Sequence, residues 1–211
     1  MRLFAAIVPP RSALDELVNV IRSVHPTGEA PAPRKGLRAR IAGGAQPAAP
    51  EDNDQLTMPE LRQMYLPLTG FGNVTLGDSR RLADALRAEA STWGQPELCF
   101  AGGGALEWRG DESVWVKLDG DIDALGTIGR GVPQIVQRLG FFVDRRQFRP
   151  WLSVGTITTK TSAPYLESLV AALEEFRGKS WIVEGISLMK GLPVAEKKDG
   201  FEEMERMPLA P

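Results

Sequence analysis

Histidine and cysteine are almost absent from this sequence: His25 and Cys99 are the only ones in 211 residues. A lone cysteine closes no internal disulfide. One cysteine and one histidine at this separation do not supply the ligands of a zinc site. No metal and no cofactor is therefore expected. Cys99 sits in the strand-like run Glu97-Leu98-Cys99-Phe100, where it reads as a buried structural thiol. An excess of charge of one sign is missing as well. Lys and Arg number 25 against 27 Asp and Glu, for a net charge of −2, so no bulk basicity points to nucleic acid and any anion site has to be local. Long apolar runs are also lacking. Leu3 to Val8 is stopped by Pro9-Pro10 with no cleavage-site pattern, so neither a signal peptide nor a membrane span is expected, and the cytoplasm is the default location.

What is present is the composition of an ordinary globular chain, long enough to bury a sizeable core. Leu3–Val8 reads as a first strand. Ser12 is placed to cap a helix carrying Leu14, Leu17, Val18 and Ile21, which ends near His25-Pro26. From Thr27 to Asp54 the periodicity collapses into Pro, Gly and Ala, with a basic cluster (Arg34, Lys35, Arg38, Arg40) and then an acidic one (Glu51, Asp52, Asp54). Asp78 is placed to cap a helix with Leu82, Ala85, Leu86 and Ala90 on its apolar face. Glu97–Ala101 reads as a strand and Gly102-Gly103-Gly104 as a tight turn. Val114–Leu118 reads as a strand near the middle of a sheet. Ile122–Leu139 is helical, with Gly126, Gly129, Gly131 and Pro133 as points where it could break. Pro164 starts a helix with Leu166, Leu169, Val170 and Leu173 inside. Trp181–Met189 reads as a strand, Lys197–Gly200 as a turn and Phe201–Met207 as a last strand paired with it. This order argues for α+β with antiparallel sheets and helices outside.

Two stretches organise the whole: Tyr65-Leu66-Pro67-Leu68-Thr69-Gly70-Phe71-Gly72 and Phe148-Arg149-Pro150-Trp151-Leu152-Ser153-Val154-Gly155, each a strand-like run that closes on glycine. On these, on Arg2–Ile7, on the approach Asp144–Pro150 and on Val183–Leu188, the chain resembles the two-histidine (2H) phosphoesterase superfamily, in its LigT-like branch of 2′-5′ RNA ligases and RNA 2′,3′-cyclic phosphodiesterases. The mark of that family is a pair of His-x-Thr/Ser motifs. They would fall on Tyr65-Leu66-Pro67 and Trp151-Leu152-Ser153, so both histidines are missing and Ser153 alone keeps a compatible residue. The resemblance implies one bilobal, pseudo-twofold α+β domain over residues 1–211, with two antiparallel sheets around a central cleft, helices outside and an insertion at 27–54.

Opening a cyclic phosphate takes a base on one side of phosphorus and an acid on the other, and imidazoles suit both roles near neutral pH. Indole has no transferable proton of use. Phenol, with a reference pKa of about 10, is a poor base. Pro67 removes a hydroxyl and a backbone donor. His25, at a helix end, reads as a solvent-exposed residue. A degenerate relative without two-histidine catalysis is the resulting expectation: a monomer that binds a nucleotide or an RNA 3′ end through Tyr65, Trp151, Ser153, Thr156, Thr158 and Lys160, with Arg145, Arg146 and Arg149 just upstream. Tyr65 and Trp151 are expected to project from neighbouring central strands into one cleft, with Ser153 on the side of Trp151. They either stack a planar group or simply fill the cleft. Two alternatives stay open: a phosphodiesterase-type hydrolase that uses Tyr65, Ser153 or other non-histidine groups, and a protein-interaction module with a filled cleft.

The composition of 27–54 makes one direct prediction. It holds too few apolar groups to offset the entropy of ordering, so limited proteolysis should cut there first. Preferential cutting elsewhere, with this segment intact, would refute it.

Overall fold

Strand side chains alternate between faces, and that rule sets which residues of this chain are buried. The structure, a computed structural model, describes residues 1–24, 54–108, 111–143, 148–192 and 200–211. His25, the basic cluster at 34–40, the expected insertion up to residue 53, Arg145, Arg146 and residues 197–199 lie outside them. The elements in order are β1 (Arg2–Ile7), α1 (Arg11–Ser23), β2 (Leu56–Thr57), a single 3-10 turn (Leu61–Gln63), β3 (Leu66–Asn73), α2 (Leu76–Ala90), β4 (Glu97–Trp108), β5 (Asp111–Gly120), α3 (Ile122–Arg138), β6 (Trp151–Ile157), α4 (Ala163–Glu175), β7 (Trp181–Ile182), β8 (Gly185–Gly191) and β9 (Phe201–Pro208).

The strands form a four-stranded sheet, β3-β1-β8-β9, and a five-stranded sheet, β2-β6-β5-β4-β7. Every pairing is antiparallel. In β1, Leu3, Ala5 and Ile7 enter the core. In β5, Val114, Val116 and Leu118 do so, which turns Ser113, Trp115 and Lys117 to the opposite face. The helices are wired crosswise. α1 leaves β1 of the first sheet but packs on α4 and β4 of the second. α3 leaves β5 of the second sheet but packs on α2 and on β3 of the first. This exchange is the pseudo-twofold α+β arrangement expected from the sequence. The buried face of α1 is Ala13, Leu14, Leu17, Val18 and Ile21, which contains all four apolar positions read from the spacing.

Several local expectations are corrected. Helix α1 has Pro10 at its N-cap and no side-chain cap, so Ser12 lies within the helix, which ends at Ser23. Thr75, not Asp78, caps α2: its hydroxyl oxygen accepts from Asp78 N–H at 3.2 Å and its O–H donates to Asp78 Oδ2 at 2.7 Å. Helix α3 runs unbroken past Pro133. Two of its glycines permit close packing: a Cβ on Gly129 would lie 2.4 Å from the Phe148 ring, and one on Gly131 2.4 Å from Trp93. In α4, Ser162 caps the start and Tyr165 is fully buried with Leu169 and Leu173, whereas Leu166 and Val170 are only half-buried. Trp181–Met189 is not one strand. β7 pairs with β4 in the second sheet, and β8 pairs with β1 and β9 in the first.

The run Gly102-Gly103-Gly104 is not a turn. It lies inside β4, which continues to Trp108 with an irregularity between Phe100 and Gly103 opposite β5. Gly102 takes a φ of +81°, which glycine adopts without penalty. A Cβ on Gly103 would sit 2.3 Å from Leu173 Cβ in α4, whereas one on Gly104 meets nothing within 4 Å. Gly103→Ala should therefore cost about 1–3 kcal/mol through overpacking. Gly104→Ala should stay within about 0.5 kcal/mol. Denaturant midpoints distinguish the two, and equal tolerance at both positions would contradict the bulged strand.

Candidate ligand-binding cleft

The two sheets turn their helix-free faces toward a cleft. On the first sheet, Phe4 of β1 and Phe201 of β9 hold Tyr65, which immediately precedes β3. The Tyr65 ring lies 5.1 Å from Phe4 and 4.7 Å from Phe201, the latter edge-on, while Phe4 and Phe201 are 5.6 Å apart. This trio fixes the phenol in place. Burial pushes its pKa up, opposed in part by the charge of Arg2. Tyr65 is therefore a still weaker source of phenolate than a free tyrosine.

On the second sheet, the pairing of β5 with β6 decides what reaches the cleft. Lys117 lies opposite Trp151, Trp115 opposite Ser153, and Ser113 opposite Thr156. A bulge at Val154 makes this set possible. Trp115 pairs with Ser153 and Val114 with Gly155, which leaves Val154 as the extra residue. Strict alternation would put Ser153 and Thr156 on opposite faces. The bulge returns both to the cleft side, while Leu152 and Val154 stay in the core. A Cβ at Gly155 would lie 2.7 Å from the Leu56 side chain, so glycine there lets β2 close on β6.

The resulting cavity, about 420 Å³, is lined by Thr57, Met58, Pro59, Gln63, Tyr65 and Pro67 together with Trp115, Ser153, Gly155 and Thr156. This size is within the range of small-molecule sites. Gln63 is set by the 3-10 turn, its amide oxygen accepting from Glu60 N–H at 3.2 Å. No described lining residue is charged. Trp115 brings an indole N–H that is buried and without a hydrogen-bond partner among the described residues. Those residues also contain no group of His, Cys, Asp and Glu side chains able to hold a metal ion. Among them, no helix is long and apolar enough to cross a membrane.

The structure thus brings together Tyr65, Pro67, Ser153 and Thr156 and separates three others from them. Tyr65 and Trp151 are not on neighbouring strands: β3 edges the first sheet and β6 belongs to the second. Trp151 faces the same way as Ser153 but lies one residue pair beyond the cavity. Its ring is 6.5 Å from Trp115, with the Arg149 guanidinium 5.5 Å from its centroid. Thr158 and Lys160 are engaged elsewhere. Lys160 Nζ lies 2.8 Å from Asp54 Oδ2, which holds the ammonium charged and the Asp54 carboxyl below its usual range. Thr158 Oγ1 donates to the Asp54 carbonyl at 3.3 Å, and Thr161 Oγ1 donates to that of Gln55. Gln55 Oε1 accepts from Ser162 N–H at 3.0 Å and from its hydroxyl at 2.7 Å. These bonds fasten residues 54–55 to the loop after β6, so that Thr57, Met58 and Pro59 form a wall. Sequence reasoning missed that wall, together with Gln63 and Trp115. Trp115 alone had a signal, as the aromatic on the polar phase of β5.

No family model matches this sequence, and no curated protein matches it. Solved structures do. E. coli LigT complexed with NADP+ superposes with a TM-score of 0.66 at 15% identity over 100% of this chain and 98% of that one. The protein TT0787 of Thermus thermophilus gives a TM-score of 0.66 at 17% identity over 99% and 98%. A structure described as a phosphoesterase gives 0.64 at 15% over 100% and 98%. At such identities the likeness is one of fold, and it bears out the LigT-like α+β fold that the sequence suggested.

The phenols offer a clean test of the site's electrostatics, because the chain has only two tyrosines. Burial raises both Tyr65 and Tyr165 above the ordinary 10.0. A phenol whose folded pKa is raised favours the folded state fully below the unfolded value. That contribution is lost as pH climbs through the folded value. Phenolate absorbance should therefore show no step at the ordinary phenol pKa, and the phenols' contribution to stability should be lost only above about pH 10. A phenol titrating at or below its ordinary value would contradict this placement of the two rings.

Proposed function

We propose that the cleft binds a nucleotide, as the end of an RNA strand, without two-histidine catalysis. One observation carries the reading: an open cavity of about 420 Å³ lies at Tyr65, Pro67 and Ser153, and it is walled by aromatic, hydroxyl and amide groups rather than by imidazoles. Tyr65 and Trp115 offer ring surface to a base. Ser153, Thr156, Thr57 and Gln63 offer donors and acceptors to a ribose or a base edge. The E. coli LigT structures with NADP+, ATP and 3′-AMP show that this fold accommodates nucleotides in that protein. The open volume also speaks against the alternative in which Tyr65 and Trp151 fill the cleft, since Trp151 does not line it.

Catalysis is a separate matter. A base is lacking at both motif positions: Tyr65 is pushed toward the neutral phenol, Trp151 carries no usable proton and Pro67 no hydroxyl. Thr156 and Ser153 can hold a phosphoryl oxygen but cannot replace the missing acid–base pair. The protein is accordingly read as a binder.

The experiment uses intrinsic tryptophan fluorescence, with Trp115 beside the site. 3′-AMP should change the emission saturably. Tyr65→Ala should weaken the Kd by about tenfold, the worth of a modest base–aromatic stack. The same protein should not turn over a 2′,3′-cyclic nucleotide at the roughly 1–10³ per second of typical enzymes. Joint restoration by Tyr65→His, Pro67→Thr and Trp151→His should be needed before activity appears, because groups that act as a unit are not additive. Robust turnover by the natural protein that Tyr65→Phe with Ser153→Ala abolishes would establish the hydrolase instead.

A further inference from the structure

The wall of the cleft is fastened from outside the cavity. Thr57, Met58 and Pro59 line the cavity, yet in the stretch 54–63 that carries them Leu56 is the only buried residue. β2 itself is two residues long and forms two residue pairs with β6, fewer than a strand needs to hold by its ladder alone. Leu56 acts as a peg, 5% exposed and packed so closely over Gly155 that a Cβ there would come within 2.7 Å of it. The remaining hold is polar. Lys160 Nζ and Asp54 Oδ2 pair at 2.8 Å with side chains 67% and 75% exposed. Thr158 and Thr161 donate to the Asp54 and Gln55 carbonyls, and Ser162 donates twice to Gln55 Oε1. At the other end the stretch runs directly into Met64, which is 1% exposed and part of the core. One end is thus rooted in the core, and the other is tied to the loop after β6 by surface bonds and one side chain.

We infer that residues 54–63 are a strap, latched by Asp54 on Lys160 and pegged by Leu56, and that its latching sets the affinity of the cleft. The inference rests on the cleft being a ligand site. Segments with few buried apolar contacts and exposed hydrogen bonds open locally at far lower free energy than the whole fold. With the strap lifted, Ser153, Gly155 and Thr156 lose the wall beside them, so a ligand fits the latched state. Its apparent Kd is then the intrinsic value divided by the latched fraction. By linkage, a bound ligand holds the strap shut by the same factor. An exposed ion pair adds little to global stability, but it weighs directly on so small an opening equilibrium. Asp54 and Lys160 therefore act as positioning residues: neither lines the cavity, and both govern it. Salt acts through the same pair. No described lining residue is charged, so an uncharged ligand has no ion-pair contact of its own to screen, whereas the latch has one.

The test reads amide hydrogen exchange over residues 54–60 by mass spectrometry, together with the Kd for adenosine, which is uncharged, and for 3′-AMP. Exchange over 54–60 should be faster than over β5 and should slow when adenosine is bound. Asp54→Asn and Lys160→Gln should each speed it by up to about fivefold, as should high salt, and the double variant should do no more than either alone. Leu56→Ala removes the peg and should weaken both ligands alike by at least about tenfold. In that background the strap is mostly open, so Asp54→Asn, Lys160→Gln and salt should weaken binding further. Where Leu56→Ala fails to fold, the two exposed variants still decide the matter through exchange. Exchange over 54–60 as slow as over β5, or indifferent to both variants and to salt, overturns the strap. Lys160→Gln that weakens 3′-AMP but not adenosine, with Asp54→Asn tightening 3′-AMP, makes Lys160 a direct phosphate contact and overturns it too. Exchange that follows the latch while neither adenosine nor 3′-AMP binds sinks the cleft reading, and with it the strap's role in binding, while the latch itself stands.

Discussion

The pleat of β5 and β6 is the constraint on which the rest of this structure depends. Val114, Val116, Leu152 and Val154 are at most 1% exposed. Each such side chain contributes about 1.5–3 kcal/mol on burial. A slip of one residue between these strands would turn all of them outward, at a cost comparable with the entire net stability of a domain, about 5–15 kcal/mol. Because the core fixes the register, it also fixes the other face. Ser113, Trp115 and Lys117, with Trp151, Ser153 and Thr156, are directed to the cleft side by what their neighbours bury. The cleft face of these two strands is thus a by-product of packing, altered between them by the bulge at Val154.

The second constraint is the crossed wiring of the helices. Because α1 and α4 cover one sheet while α2 and α3 cover the other, each sheet keeps one face free of helices. The clamp of Asp54 and Gln55 on Lys160, Thr161 and Ser162 closes the side of the cleft where β2 meets β6. Its ion pair is fully exposed and contributes little to stability. Its consequence is positional: with residue 54 held, Thr57 to Pro59 have a fixed place beside Ser153 and Thr156.

The strand-and-helix order was legible because alternation and helical spacing are strong wherever one face is buried, as in α1 and β5. Two kinds of feature were not. Gly102-Gly103-Gly104 reads locally as a turn, and only the approach of Leu173 from α4 explains why a strand needs glycine there. Likewise Gly129 and Gly131 look like helix breakers until Phe148 and Trp93 are seen against them. Residues far apart in sequence supply the reason in both cases. Within the cleft, Tyr65, Pro67 and Ser153 were reached through their motif positions and Thr156 through its place on the second motif strand, whereas Gln63 and the Thr57–Pro59 wall depend on a clamp between distant segments. Lys160 was misread for a related reason: its partner, Asp54, lies in the segment that composition alone could not place.

A cleft walled by an aromatic trio on one side and an indole on the other differs in what it can recognise from one that carries imidazoles. An imidazole near its pKa responds to the charge on phosphorus. Neutral rings, hydroxyls and an amide respond to shape, stacking surface and hydrogen-bond pattern. On the proposed binding reading, such a site would recognise the base more than the phosphate. The cations this face does offer, Lys117 and Arg149, stand outside the cavity beside Trp151. On the proposed binding reading, a bound phosphate therefore meets no charged described residue within the cavity lining.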